Sequence, residues 1–149
     1  MTIIDAIFET LLSHPSVMRI VRLPGIHHDA NATLLIGEHS ALLVDSGTAW
    51  YQLLQEERIR GQLDDVITLE KIILTSRRYP FSGGSKALSE SFEIPVFIHE
   101  AAQSSLESGD FFTTWANRYD SDMPIIATKA IDFSETLCLD DSIIELLET

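Results

Sequence analysis

The chain has 149 residues, of which 10 are lysine or arginine and 23 are aspartate or glutamate, so its formal net charge is −13. This charge argues against a general nucleic-acid or anionic-membrane surface, because both require cationic patches. The length suits a single domain over residues 1–149 with a core of its own. Cys138 is the only cysteine, so no intrachain disulfide can form, and we expect a cytoplasmic protein.

Residues 1–15 are predicted to form a helical extension of the domain. Thr2 can cap a helix over residues 2–14. The apolar residues of this segment fall on one helical face: Ile4, Ile7, Phe8, Leu11 and Leu12. The opposite face is acidic, which favours docking on a core over membrane anchoring. Asp5 and Glu9 interrupt the apolar run, so we expect neither a signal peptide nor a membrane-spanning segment.

Three short strands are predicted next, over residues 17–23, 32–36 and 40–44. The second and third flank a short connection containing Gly37, which is typical of a hairpin. The third strand is almost wholly apolar, so we expect it in the centre of the sheet. Asp45 follows it in an Asp-Ser-Gly turn.

Three histidines are candidates for metal ligands or catalytic groups. His27 and His28 precede Asp29 in the loop after the first strand, and together they suggest a metal cluster. Adjacent histidines in an extended segment cannot both point one way, so we favour a solvated loop over metal binding. His99 ends a later strand, and we interpret it as a structural histidine rather than a catalytic one.

Strands and helices alternate through the middle of the chain, which predicts parallel pairing with crossover helices. In order they are a helix over residues 49–63, a strand over 71–75, a helix over 85–92, a strand over 94–99 and a helix over 100–108. The first of these helices is expected to turn its apolar residues inward: Trp50, Leu53, Leu54 and Ile59. In the polar connection that follows, Val66 and Ile67 are expected to be tucked into the core.

The last third of the chain is predicted to hold a short helix within residues 109–119 and then three short strands. The strands cover residues 128–131, 135–139 and 143–148, with a turn at Asp140-Asp141. The helix carries four aromatic residues, which we interpret as core, interface or the wall of a pocket: Phe111, Phe112, Trp115 and Tyr119. Cys138 lies in an apolar strand, so we expect a buried, inert thiol.

The strand over residues 71–75 leads into the loop of greatest chemical interest. A polar loop over residues 76–82 follows it, and Gly83-Gly84 then allows a sharp turn into the next helix. Ligands of α/β proteins bind at the carboxyl ends of strands, so we expect the chemistry of this chain in that loop.

This frame resembles the metallo-β-lactamase fold, in which an apolar strand ends in Thr-His-x-His-x-Asp-His-x-Gly-Gly. Leu74-Thr75 and Gly83-Gly84 match the two ends of that motif at the same spacing. Asn31 matches an Asn that starts a strand, and Asp45 matches an Asp that supports the metal-binding loop. The resemblance covers about residues 17–149. It implies an α/β fold, an αβ/βα sandwich with a mixed sheet and flanking helices, of which only the N-terminal half is present.

The resemblance also implies zinc, with ligands at four positions that here carry Ser76, Arg78, Pro80 and Phe81. Serine is a poor zinc ligand, arginine repels the cation, and proline and phenylalanine offer no side-chain donor. The remaining ligands of the family lie beyond a strand like residues 143–148, and the chain ends there. We therefore predict no zinc or other cofactor, and no hydrolase activity by this chain alone.

Asp45, Ser76, Arg77 and Arg78 are the candidate ligand-binding residues. Arg77 and Arg78 lie where the family places its metal ions, and a guanidinium there could hold an anionic small molecule by charge and hydrogen bonds. The alternative, which we favour on the sequence, is that both arginines are solvated and pair with some of the 23 acidic side chains.

Two classes of function follow. In the first, the chain is a non-catalytic metallo-β-lactamase-like protein that acts as a binding or interaction module, or is a remnant. In the second, it is the front part of a metal-dependent hydrolase-like protein, completed by missing sequence or by a partner chain. A half-sandwich exposes apolar sheet surface, so we predict self-association or a partner polypeptide, and no nucleic-acid or membrane partner.

Overall fold

The computed structural model describes residues 18–148. The predicted N-terminal helix and the first residue of the strand predicted over 17–23 lie outside the described residues. The strands are β1 (Arg19–Leu23), β2 (Ala32–Ile36), β3 (Ser40–Val44), β4 (Thr68–Ile73), β5 (Val96–Ile98), β6 (Lys129–Ala130), β7 (Leu137–Leu139) and β8 (Ser142–Ile144). The α-helices are α1 (Gln52–Gln62), α2 (Tyr79–Ser82), α3 (Ser85–Phe92) and α4 (Glu100–Glu107), and 3-10 helices cover Ala49–Tyr51 and Ala116–Tyr119.

Six of the strands form one mixed sheet in the order β1-β2-β3-β4-β5-β6. The first three pair antiparallel, because loops join them directly. The pairs β3–β4, β4–β5 and β5–β6 are parallel, because helical crossovers return the chain each time. The carboxyl ends of β3, β4 and β5 therefore meet at one edge of the sheet, where ligands bind in α/β proteins.

The two faces of the sheet are covered differently. On one face, Leu43 and Ile72 are fully buried under the helices. On the other face, Leu42 and Ile73 pack against Leu139 of the β7–β8 hairpin. Each α-helix contributes a buried residue to the larger core: Ile59 from α1, Tyr79 from α2, Leu88 from α3 and Leu106 from α4. Successive side chains of a strand point to opposite faces of the sheet, so each central strand contributes residues to both cores.

Most predicted elements are confirmed. The hairpin strands β2 and β3 and the helix α3 have the predicted bounds. The strand β4 covers Thr68–Ile73 and not residues 71–75, and the one-turn helix α2 occupies part of the predicted loop over 76–82. None of the helices among residues 18–148 is long and apolar enough to cross a membrane.

The inward face predicted for α1 is largely wrong. Ile59 is buried, but Trp50, Leu53 and Leu54 are 54%, 76% and 42% exposed. Gln55, four residues before Ile59, is buried in their place, because residues four apart share the face that meets the core. The connection after α1 also differs from its prediction, since Ile67 packs on the core but Val66 is exposed.

The C-terminal third requires two further corrections. The thiol of Cys138 is exposed and not buried. Leu139 is the residue of β7 that faces the sheet, and its neighbour in the strand points the other way. The segment over 109–119 forms turns and only a 3-10 helix, and Phe111 and Phe112 are exposed rather than core. Trp115 has a positive φ of 62°, which breaks the helical spacing assumed from the sequence.

Candidate functional site

Asp45 fixes the start of the loop after β4. Its backbone follows β3 with a positive φ of 62°, and its carboxylate is buried. That carboxylate accepts two hydrogen bonds from Thr75, one from the backbone N–H at 2.8 Å and one from the hydroxyl at 2.7 Å. Burial raises the pKa of Asp45 to about 6, although both hydrogen bonds from Thr75 act to lower it. Asp45 thus supports the loop from beneath Thr75, without lining a cleft itself.

The Gly83-Gly84 pair allows the same loop to pack closely on the segment after Asp45. A Cβ on Gly84 would lie 2.9 Å from the carbonyl oxygen of Thr48, and its N–H donates to the carbonyl of Gly47 at 2.8 Å. The N–H and hydroxyl of Ser46 both donate to the carbonyl of Phe81, at 2.8 and 2.9 Å. The loop is therefore anchored at both ends by main-chain contacts that tolerate no side chain at Gly84.

The four positions where the resemblance implies zinc ligands do not fit zinc. The hydroxyl of Ser76 accepts a hydrogen bond from the N–H of Arg78 at 3.1 Å. Pro80 is buried, and Phe81 is half-buried. Within residues 18–148, no three His, Cys, Asp or Glu side chains are grouped so that they could hold a metal ion. The donor chemistry of these positions is that of a hydrogen-bonding surface and not of a metal centre.

His27 and His28 contact aromatic residues of the two 3-10 helices. The ring of His27 is hydrogen bonded to the hydroxyl of Tyr51. His28 lies 5.2 Å from the ring of Tyr119 and 6.2 Å from the ring of Trp50. The side chains of both histidines are exposed, as expected for a solvated loop.

His99 joins two elements at the edge of the sheet. Its Nδ1 accepts the N–H of Ala101 at 3.0 Å and so caps α4. Its Nε2 lies 2.6 Å from a carboxylate oxygen of Glu148. Because Nδ1 acts as the acceptor, Nε2 carries the proton and donates to Glu148. Both ring nitrogens are engaged in structural contacts, in keeping with the structural role expected from the sequence.

Arg77 and Arg78 are exposed and are held by the segment over residues 110–118. The Nε of Arg77 donates to the carbonyl of Thr113 at 3.3 Å. The Cζ of Arg78 lies 3.7 Å from the centre of the Trp115 ring, and the Cζ of Arg118 lies 4.2 Å from the same centre. Among the described residues, no carboxylate lies within 4.0 Å of either Arg77 or Arg78. Neither arginine therefore forms an ion pair with the residues that the structure describes. Asp110 is still near Arg77, because its pKa is lowered by hydrogen bonds from the N–H groups of Thr113 and Phe112 and, to a smaller extent, by the charge of Arg77.

A cleft of about 640 Å³ opens beside these arginines at the carboxyl ends of β4 and β5. One wall is polar and consists of four successive residues after β4: Thr75, Ser76, Arg77 and Arg78. The other walls are mainly apolar and include Ile98, Ala102, Ile131, Phe133, Leu146 and Leu147. His99 and Glu148 also line the cleft, and they are bonded to each other.

Sequence reasoning missed two parts of this site. The sequence predicts a core, interface or pocket role for Trp115, yet its ring carries Arg78 and Arg118. The sequence carries no signal for this contact, because the positive φ of Trp115 takes it out of helical spacing with Arg118. The contribution of Phe133 and Leu147 has no signal in the sequence, because it depends on the return of the C-terminal segment to the edge of the sheet.

No protein-family model and no curated protein sequence matches this chain. Several solved structures do. The metallo-β-lactamase SMB-1, in a complex with mercaptoacetic acid, is 20% identical with a TM-score of 0.65, and the match covers 87% of this chain and 49% of that one. MEM-A1, a subclass B3 metallo-β-lactamase from a soil metagenome library, is 18% identical with a TM-score of 0.63 over 87% and 48% of the two chains. BJP-1, a subclass B3 metallo-β-lactamase of Bradyrhizobium japonicum, is 16% identical with a TM-score of 0.63 over 76% and 43%.

These matches confirm the predicted fold. The chain has the metallo-β-lactamase fold with only part of the domain present, and it spans about half the length of the solved structures that it matches.

Proposed function

We propose that this chain is a metal-independent binding module, built on part of the metallo-β-lactamase fold, whose ligand is a small anion. The observation that carries this proposal is the position of Arg77 and Arg78 on the wall of the cleft, with no carboxylate of the described chain within 4.0 Å of them. Guanidinium groups bind carboxylate and phosphate by charge and by paired N–H donors, so two arginines at this position favour an anionic ligand.

The charge distribution supports an anionic ligand. The whole chain carries a net charge of −13, yet among residues 18–148 the cleft is lined by two arginines and by one acidic side chain, that of Glu148. Glu148 is bonded to His99, so it does not neutralise either arginine. In so acidic a protein, most arginines are expected to lie beside carboxylates. Arg77 and Arg78 line the cleft without such an ion pair among the described residues, which supports an anionic ligand as their partner.

The donor chemistry supports a role without catalysis. The four positions that the resemblance assigns to zinc carry Ser76, Arg78, Pro80 and Phe81, which supply no set of zinc donors. The carboxylate of Asp45 is bound to Thr75 and buried, so it is poorly placed to act as a base on a ligand in the cleft. We propose that neither zinc nor another cofactor is needed for binding, and a cytoplasmic location remains a prediction.

Calorimetric titration with inorganic phosphate and with malonate tests the proposal. We expect one of these anions to bind, and we expect Arg78→Ala to weaken that binding at least tenfold. Arg22→Ala is the matched control. Arg22 is an exposed arginine on β1, an outer strand of the sheet that is separated from β4 by β2 and β3, so its loss should leave the affinity unchanged. Binding that is equal in wild type and Arg78→Ala, or the absence of binding by both anions, would rule the proposal out.

A second candidate function is that of a part completed by another polypeptide or by a second copy of this chain. It is favoured by the half-length match to the solved structures and by exposed apolar residues, of which Ile20, Ile143 and Leu147 are 65%, 69% and 80% exposed. We expect exposed apolar side chains such as these to drive self-association. Size-exclusion chromatography with light scattering checks this expectation, and a compact monomer at all concentrations would speak against it.

A further inference from the structure

We infer that the anion is amphiphilic, with a carboxylate or phosphate head bound at Arg77 and Arg78 and an apolar body lying in the cleft. This inference rests on the proposed function and specifies the class of its ligand. It follows from the separation of polar and apolar residues along the cleft walls. The polar wall is the chain from Thr75 to Arg78, whereas β5, α4 and the segments after β6 and β8 supply the apolar walls.

The apolar walls are suited to a hydrocarbon body. Leu147 lines the cleft and is 80% exposed, and Phe133 on the same lining is half-buried. A ligand that covers such side chains removes their surface from water, which is the main source of affinity for apolar groups. The volume of about 640 Å³ lies within the usual range for small-molecule sites, which is roughly 300–1,000 Å³.

The head-group end retains free hydrogen-bond donors. Arg77 uses its Nε for the carbonyl of Thr113, and its two Nη groups have no acceptor in the described part of the chain. The guanidinium of Arg78 lies over Trp115 and likewise donates no hydrogen bond to the described residues. Stacking on the indole restricts the rotamers of Arg78 before the ligand arrives, so less conformational entropy is lost on binding.

An uncharged apolar ligand fits less well, because it would desolvate the polar wall without supplying an acceptor to the arginines. A bare inorganic anion would leave the apolar walls in water. The combination of head and body is therefore the ligand class that uses the whole lining of the cleft.

The test is a chain-length series of straight-chain carboxylates, namely acetate, butyrate, hexanoate and octanoate, titrated into the full chain below their micelle concentrations. Octanol is the uncharged control. We expect each added methylene to tighten binding about three- to four-fold. We also expect octanol to bind at least tenfold more weakly than octanoate, and Arg78→Ala to reduce octanoate binding at least tenfold.

Leu147→Asn separates this inference from the proposed function. Because Leu147 is exposed, the substitution should leave folding intact. It removes an apolar side chain without adding a negative charge beside Arg77 and Arg78, so it should weaken octanoate about tenfold while changing acetate or phosphate binding little. Leu53→Asn is the matched control, since Leu53 is 76% exposed on α1 and is no part of the cleft lining.

The outcomes of this test are distinct. Chain-length dependence that is weakened in Leu147→Asn supports the inference. Equal binding of acetate and octanoate, with dependence on Arg78, overturns the inference and leaves the anion-binding module standing. Octanoate binding that ignores both Arg78 and Leu147 also overturns it, since that result means non-specific adsorption. If no anion binds, both the inference and the proposed function fail.

Discussion

Thr75 donates two hydrogen bonds to the buried carboxylate of Asp45, from its N–H to Oδ1 at 2.8 Å and from its hydroxyl to Oδ2 at 2.7 Å. The contact joins the end of β3 to the chain leaving β4, two strands that run parallel and adjacent. The loop that carries Arg77 and Arg78 starts at this contact. Its support is therefore built into the sheet, independently of what the loop binds.

Asp45 should give the protein a distinctive pH dependence. Burial raises its pKa from 3.8 to about 6, so the folded state holds this proton more tightly than the unfolded chain does. The stabilisation from this proton is fully present below about pH 4, falls as the pH rises towards 6, and is lost above it, a change of about 3 kcal/mol. Hydrogen bonds lower the pKa values of Asp110, Asp132 and Asp140, so their effects lie below this window.

Urea unfolding of wild type and Asp45→Asn between pH 4 and pH 7.5 measures this contribution. The introduced amide mimics the protonated acid, because its carbonyl can accept from the Thr75 N–H while its NH₂ donates to the hydroxyl. Between pH 4 and about pH 6, we expect the free energy of unfolding of wild type to fall relative to that of the variant. Above about pH 6, the difference between the two should stay constant. Asp141→Asn, at an exposed aspartate, is the control. Parallel curves throughout would show that Asp45 is not the group responsible.

Gly84 should be intolerant of any side chain. A Cβ there would lie 2.9 Å from the backbone oxygen of Thr48, which cannot move without disturbing the Asp45 segment. We expect Gly84→Ala to lower the free energy of unfolding by about 1–3 kcal/mol, as overpacking does elsewhere. Gly61→Ala is the matched control: nothing lies within 4 Å of its Cβ position in α1, so it should stabilise by about 0.5–1 kcal/mol. Equal effects in urea unfolding would contradict the close packing described for Gly84.

Trp115 should act on binding through Arg78. Its ring lies 3.7 Å from the Cζ of Arg78, a cation–π contact worth about 0.5–1 kcal/mol at an exposed site. We expect Trp115→Leu to weaken phosphate binding about two- to five-fold in calorimetry while the protein stays folded. Trp50→Leu replaces the only other tryptophan, which has no arginine over its ring among the described residues, and should bind as wild type. An unchanged affinity in Trp115→Leu would mean that Arg78 is positioned by other contacts.

The sequence alone predicts those elements whose structure depends on a local pattern of residues. The presence of a strand before the loop, the Gly-Gly turn and the helix α3 follow from an apolar run, two glycines and a helical apolar spacing. The contact of Asp45 with this loop could be expected only from the resemblance, because the two segments are 30 residues apart.

The sequence was insufficient where orientation depends on packing between distant elements. Leu53 and Leu54 are apolar and are therefore expected to face the core, but α1 contacts the core through Gln55 and Ile59. Cys138 is exposed because the direction of its side chain depends on which residue of a three-residue strand faces the sheet. The contact of Trp115 with Arg78 depends on a turn with positive φ, which no periodicity in the sequence indicates.

We propose that guanidinium charge takes the place of metal charge in this cleft. The most direct measurement is a calorimetric titration of phosphate into protein dialysed against EDTA, repeated after addition of one equivalent of zinc. We expect the same Kd in both titrations, because Arg77 and Arg78 supply the charge and Ser76, Pro80 and Phe81 supply no ligand set for the ion. Phosphate binding that appears only in the zinc-loaded protein would show that a metal ion, and not the arginines, supplies the charge.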